Sequence, residues 1–256
     1  MSRFYLPPDQ CQGPVLTLED REAYHGLRVL RMRRGDFTCV MDGAGHEFEC
    51  VVSELDRHKI RLNVIQKHMV PPPPWEITLL QGIPKGKTIE TIIQKATELG
   101  AFRIVPLLAE RTVKQVERDD LEIKSHKWRL AAIEAIKQCG SAWLPRIEVP
   151  ISIPLFLARG ENFDLPLIAS LQGNSRHPRE WFKAFQNEHQ RPPRSVCIWI
   201  GPEGDFTPME VEQVISAGAR PITLGRLVLR SDTAAVYSLS ILNYELGHLH
   251  ARLQDF

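Results

Sequence analysis

The stretch Val196-Cys-Ile-Trp-Ile-Gly-Pro-Glu-Gly-Asp-Phe-Thr-Pro-Met-Glu210 joins an apolar run to a helix start through one tight turn. Val196–Ile200 is an uninterrupted apolar segment of strand length, which suits a strand buried on both faces. Thr207-Pro-Met-Glu210 is a capping box with proline at the first helical position, so a helix begins directly after the turn. A doubly buried strand running straight into a helix is the local pattern of a parallel sheet covered by helices, an α/β fold. Gly201, Pro202 and Gly204 serve the turn itself. Glu203 and Asp205 do not, and ligands in such sheets sit at the carboxyl ends of strands, so the turn is a candidate site.

Working outward, the same alternation repeats. Trp75–Gln81 reads as a strand, and Ile89, Ile92, Ile93, Ala96 and Leu99 then share one helical face that stops at Gly100. Ile104–Leu108 is the next strand; Trp128, Ala131, Ala135 and Gln138 mark a second helix; Pro166–Leu171 is a third strand. After the opening stretch, Gly218 ends the helix and Ile222-Thr-Leu-Gly225 is a fifth strand. A last helix is predicted from about Asp232 to Leu246, with Ala235, Leu239, Leu242 and Leu246 inward. Four consecutive prolines in Val70-Pro-Pro-Pro-Pro-Trp75 form a stiff spacer. Before it, Phe37–Met41 and Glu47–Val52 flank Asp42-Gly-Ala-Gly45 as a hairpin, and His58–Ile65 alternates like a further strand. The expected organisation is a small β-rich barrel over 1–70, a proline linker over 71–74 and an α/β domain over 75–256.

Composition excludes several classes. The 256 residues are 43% hydrophobic and 25% charged with net charge +1, enough apolar material for a full core and no global basic footprint. Charge is concentrated locally instead: Arg21, Arg28, Arg31, Arg33 and Arg34 cluster with His25 against the single acid Glu22. Such a block is ordinarily a solvated face, but guanidinium forks also suit phosphate. No segment has signal-peptide or membrane-spanning character, and Cys11, Cys39, Cys50, Cys139 and Cys197 form no Cys-x-x-Cys pair, so a soluble, reduced, cytoplasmic protein is expected. The nine histidines lack zinc-ligand spacing, and no metal is expected.

Gln81-Gly-Ile-Pro-Lys-Gly-Lys-Thr88 imitates a phosphate-binding P-loop, but Gly82 and Gly86 enclose three residues where that motif needs four, and Pro84 removes an amide. It reads as a surface turn. More informative are three strand ends that pair apolar residues with glycine: Leu171-Gln-Gly173, Ile200-Gly-Pro-Glu-Gly204 and Leu224-Gly-Arg-Leu-Val-Leu-Arg230. Any one of them is explained by turn geometry. Three at one end of a sheet point to a pocket lined by main chain.

The Gly201-Pro-Glu-Gly204 turn, Leu224-Gly225 with Leu229-Arg-Ser-Asp-Thr-Ala234, and Gln94-Lys-Ala-Thr-Glu-Leu-Gly100 followed by Ile104-Val-Pro106 resemble the RsmE family. These are SPOUT-class methyltransferases that act on uridine N3 of 16S ribosomal RNA. His25, Val29-Leu-Arg31, Gly35-Asp36 and Asp42–Gly45 are similar to the family's PUA-like RNA-binding barrel. The resemblance implies a C-terminal trefoil knot, S-adenosylmethionine as cofactor, a homodimer, and 16S rRNA in the small ribosomal subunit as partner. It implies a cofactor site of Leu171, Gln172, Ile200, Gly201, Glu203, Gly204, Leu224, Gly225 and Leu229. Arg230 would face the target base, with Asp232 and Glu203 as candidate proton acceptors. His25, Arg28, Arg31, Arg33 and Arg34 would bind RNA. The chain departs from the family pattern at Leu227, at Asp232 where Glu is usual, at Asp205 where Gly is frequent, and at Ser141 where Arg is common. Two other readings remain: a SPOUT methyltransferase with another RNA target or acceptor atom such as a ribose 2′-hydroxyl, and a catalytically inactive RNA-binding assembly protein.

Overall fold

The computed structural model describes residues 1–111, 118–171 and 175–251. The chain packs as two compact units. The first holds Met1–Pro72 together with Ile133–Leu144, and the second holds the remaining described residues.

In the first unit, β1 (Ser2–Tyr5), β2 (Val15–Leu18), β3 (Phe37–Met41), β4 (His46–Leu55) and β5 (Ile60–Met69) form one sheet in the order β1-β3-β4-β5-β2. The predicted hairpin is β3–β4, whose register pairs Met41 with Glu47. Among the described residues no pairing joins β1 to β2, so these two strands stand at the ends of the hydrogen-bonded order. Phe4, Leu16, Leu18, Val40, Phe48, Ile60 and Leu62 fill its core. A short helix α1 (Asp20–Tyr24) continues into a π-helical turn over His25–Val29. Gly26 lets that turn lie against the core, because a Cβ there would meet Ile60 Cδ1 at 2.5 Å. The returning segment contributes Lys137, buried and paired with Glu22 at 2.7 Å, and Trp143, whose indole donates to the Val70 carbonyl.

The second unit alternates as its sequence pattern requires. In chain order its elements are β6 (Glu76–Gly82), α2 (Thr88–Glu98), β7 (Arg103–Leu108), α3 (Arg118–Cys139, whose end belongs to the first unit), β8 (Arg146–Ile147) and β9 (Ile151–Ser152). They continue with α4 (Ile153–Leu157), β10 (Leu165–Ala169), α5 (Pro178–His189), β11 (Ser195–Ile200), α6 (Pro208–Ser216), β12 (Arg220–Ile222) and α7 (Ser231–Ala251). The sheet order is β12-β10-β11-β6-β7-β8, with β9 also on β7, and every pair is parallel. Leu80, Ile168 and Trp199 join α4 and α6 in one core, where Phe156 meets Trp199 edge-on at 5.4 Å. Ile77 and Leu79, alternating with Leu80, are fully buried on the opposite face. α7 carries the buried Ala235, Leu239, Leu242 and Leu246. Each buried leucine contributes about 1.5–3 kcal/mol.

The helix after the opening turn starts where its capping box predicts: Thr207 Oγ1 accepts from Glu210 N, and Glu210 Oε2 accepts from Thr207 N at 2.8 Å. Glu210 is buried because Oε1 also accepts from the Glu110 amide beyond β7. α5 has no counterpart in the sequence reading. β12 lies earlier than the predicted Ile222–Gly225 strand, with Pro221 on an edge strand where a missing amide is tolerated. No helix among the described residues is long and apolar enough to cross a membrane.

Candidate active site

The carboxyl ends of β10 and β11, the segment after β12 and the start of α7 enclose a cavity of about 630 Å³. That is the size range of small-molecule and cofactor sites. Ile200, Gly201, Glu203, Leu171, Leu224, Gly225, Leu229 and Arg230 all line it. Gln172 lies outside the described residues. Gly204 and Asp232 do not reach the lining. The Gly204 carbonyl instead accepts from the Arg111 guanidinium, and Asp232 Oδ1 accepts from Thr233 N at 2.8 Å, an ordinary role at a helix start. Arg230 is exposed, and its carbonyl accepts from Ala234 N, so its backbone is fixed by the first turn of α7. No ion pair among the described residues engages its guanidinium. Beside it, Leu227 and Val228 are more than three-quarters exposed.

The turn is held from three directions. Both carboxylate oxygens of Glu203 accept from the Lys85 amide at 3.1 Å, which ties the Pro84–Lys87 turn to the cavity wall. Gly82, ending β6, packs so tightly that a Cβ would lie 2.6 Å from Pro202 Cδ. The Gly201 carbonyl accepts from Ser231 Oγ at 2.6 Å, and Ser231 Oγ accepts from Gln81 Nε2 at 2.9 Å. Gln81 is fully buried; its Nε2 also donates to the Gly82 carbonyl, and its Oε1 has no partner among the described residues. Gln81 and Ser231 are site residues that the sequence reading did not name. A glutamine inside an apolar strand run, one residue from a glycine, was the available signal.

Asp205 takes a left-handed backbone (φ +57°) and donates its amide to the Pro202 carbonyl, which closes the turn. Its Oδ1 accepts from Phe206 N at 2.8 Å and lies over the Cα of Gly201, where a Cβ would approach it to 2.4 Å. The missing side chain of Gly201 therefore makes room for Asp205. Asp205 itself lines the cavity, and burial raises its carboxyl above the usual carboxylate range.

In the first unit, Arg28, Arg31, Arg33 and Arg34 are all exposed, and none forms an ion pair among the described residues. Arg21, by contrast, pairs with Glu134 at 3.3 Å. His25 is half-buried with its ring edge toward Phe4 at 6.1 Å. Arg31 has φ +52°, so the chain turns sharply through the block.

A family model described as an RNA methyltransferase domain matches residues 71–243, and one described as an RNA methyltransferase PUA domain matches residues 18–65. A Synechocystis protein named ribosomal RNA small subunit methyltransferase E is 30% identical over 94% of this chain and 77% of its own length. The chain belongs to the ribosomal RNA small subunit methyltransferase E family. The Bacillus subtilis protein of that name is 29% identical over 96% of this chain and 97% of its own. Among solved structures, a Legionella pneumophila protein described as a putative methyltransferase in complex with bound cofactor S-adenosylmethionine superposes with a TM-score of 0.85. It is 30% identical and covers 95% of this chain and 97% of its own. A Neisseria gonorrhoeae small subunit methyltransferase E, described as bound to S-adenosylmethionine, gives 0.81 at 26% identity, covering 95% and 97%.

Proposed function

We propose that this protein is an S-adenosylmethionine-dependent RNA methyltransferase that methylates N3 of a uridine in 16S ribosomal RNA of the small subunit. The observation that carries the reading is the cavity at the carboxyl ends of β10 and β11 and the segment after β12, with Gly201, Gly225, Ile200, Leu224 and Leu229 on its walls and Arg230 on its rim. Its volume and apolar, main-chain-rich lining fit a nucleoside bearing an amino-acid tail. Ile200, Gly201, Leu224, Gly225 and Leu229 would hold it, with Leu171 at the mouth and Gly204 supporting the turn from behind. S-adenosylmethionine bound there supplies an electrophilic methyl group. The remaining task is positioning and proton management. Uracil N3 becomes nucleophilic as its proton leaves, and the resulting charge spreads over the two ring carbonyls. Arg230, whose guanidinium has no ion pair among the described residues, stabilises that charge as an oxyanion site does. A carboxylate takes the proton; Glu203 lines the cavity and Asp232 sits two residues from Arg230.

His25, Arg28, Arg31, Arg33 and Arg34 of the PUA-matching unit bind the RNA backbone, which the exposure of the four arginines supports. The second unit works in the cytoplasm as a homodimer with its C-terminal third threaded as a trefoil knot. Exposed Leu227, Val228, Tyr237 and Tyr244 around the cavity rim and on α7 support burial against a second copy. The test is methyl transfer from labelled cofactor to unmodified small subunits, with the product nucleoside identified by mass spectrometry. Label on ribose or on a ring carbon refutes N3 chemistry. Arg230→Ala is expected to abolish transfer while sparing cofactor binding; loss of both together removes its assigned role.

A further inference from the structure

We propose that Asp205 is a charge-discriminating residue of the cofactor cavity: its carboxylate favours the sulfonium cofactor over the thioether product, S-adenosylhomocysteine. The inference rests on the cofactor assignment above and adds a specificity role to a residue that assignment leaves out. Three features carry it. Asp205 lines the cavity, and its Oδ2 makes no hydrogen bond among the described residues, while Oδ1 holds the Phe206 amide. The other carboxylate on the lining, Glu203, already has both oxygens on the Lys85 amide. The side chain of Asp205 is also held in place: its backbone is left-handed, and the space it needs exists only because Gly201 lacks a Cβ. A turn alone would be served by glycine at such a φ. An aspartate there adds a carboxylate to the cavity lining, with Oδ2 outside any hydrogen bond among the described residues.

The cofactor and its product differ by one positive charge, the sulfonium. A fixed anion on the cavity wall acts on that difference and on little else. The charged groups around Asp205 are Arg111 beyond β7, Glu210 on α6, Glu203 on the same turn, and Arg226 and Arg230 on the segment after β12. Arg111 donates to the Gly204 carbonyl and not to Asp205; its charge lowers the Asp205 carboxyl and the Glu210 carboxylate raises it, both less than burial does. Burial raises the Asp205 carboxyl. A cation bound beside it acts in the opposite direction, so the preference for the sulfonium form should decay as pH falls into the acid range.

The experiment is titration calorimetry of the full chain with S-adenosylmethionine and S-adenosylhomocysteine, for wild type, Asp205→Asn and Asp205→Gly, between pH 8 and 5.5. At pH 8 both substitutions are expected to weaken S-adenosylmethionine binding about tenfold, an ion–ion attraction partly screened by water. Affinity for S-adenosylhomocysteine should stay within about twofold. In wild type the ratio of the two affinities shrinks as the pH falls; in both variants it is flat. Asp205→Gly suits the left-handed backbone, so it remains informative if Asp205→Asn folds poorly. An unchanged ratio in the variants, or equal loss of both ligands, overturns the inference. Failure of wild type to bind either ligand would instead overturn the cofactor assignment beneath it.

Discussion

Gly201→Ala tests the geometry of the turn directly. A Cβ at position 201 would stand 2.4 Å from Asp205 Oδ1, 3.1 Å from Asp205 Cα and 3.2 Å from Phe206 N. Real Cβ atoms essentially never come within 3.0 Å of a neighbour, so the carboxylate has to retreat by at least about 0.6 Å. That movement gives up the 2.8 Å bond to Phe206 N, a charge-assisted bond with a net value of about 1.5–3 kcal/mol. The two main-chain contacts add a smaller overpacking cost of about 1 kcal/mol. The expected destabilisation is about 2–4 kcal/mol by urea denaturation of the second unit. Asp205→Gly alone loses the same bond but relieves a left-handed side chain worth about 1–2 kcal/mol, and should be nearly neutral. On the Asp205→Gly background Gly201→Ala costs only the main-chain contacts, so a cycle of the four proteins should give a coupling of about 1.5–3 kcal/mol, the value of the bond already removed. Additive effects would show that Asp205 does not occupy the space beside Gly201, and the reasoning about this turn would fail.

Ser231→Ala leaves the Gly201 carbonyl without its 2.6 Å donor and costs about 1–3 kcal/mol, measured as a lower unfolding midpoint; Ser231→Thr should recover most of it. Changing Arg28, Arg31, Arg33 and Arg34 together to Ala should lower the slope of log affinity against log salt for an RNA target by about 3, and an unchanged slope returns the block to an ordinary surface. Asp164, lowered to about 2 first by the Arg191 fork and then by the Arg194 and Ser195 amides, contributes stability that is present above about pH 4 and lost as pH falls through about 2. The stability gap between wild type and Asp164→Asn should therefore hold from pH 7 to 4 and narrow below; a constant gap down to pH 2.5 refutes the pairing.

What the sequence shows of the fold follows local physics. The period of Ile89, Ile92, Ile93 and Ala96 places α2, and the Thr207–Glu210 box places α6, because both signals lie within one or two helical turns. α5 escapes because its cap is His177, whose ring nitrogen accepts from the Arg179 amide while Glu180 completes the box; histidine is not a residue that announces a helix start. The cavity was legible in the glycine-bearing strand ends, of which Gly201 and Gly225 line it; Gly173 lies outside the described residues. The cavity's internal fastening was not, since Gln81 and Ser231 stand 150 positions apart and Gly82 meets Pro202 only after the sheet has formed. Asp205 looked superfluous to a turn for the same reason: its counterpart is the hydrogen atom that Gly201 carries in place of a side chain.

The returning segment Ile133–Leu144 has a consequence for how such a protein can be divided or inherited. The first unit is not a contiguous cassette, because Lys137 and Trp143 reach it only after the chain has laid down a large part of the second. A gene fragment ending at the prolines would encode a sheet stripped of the buried partner of Glu22 and of the indole on Val70. Recombination at that seam would exchange an incomplete piece, so the two units are expected to have travelled through evolution as one indivisible reading frame.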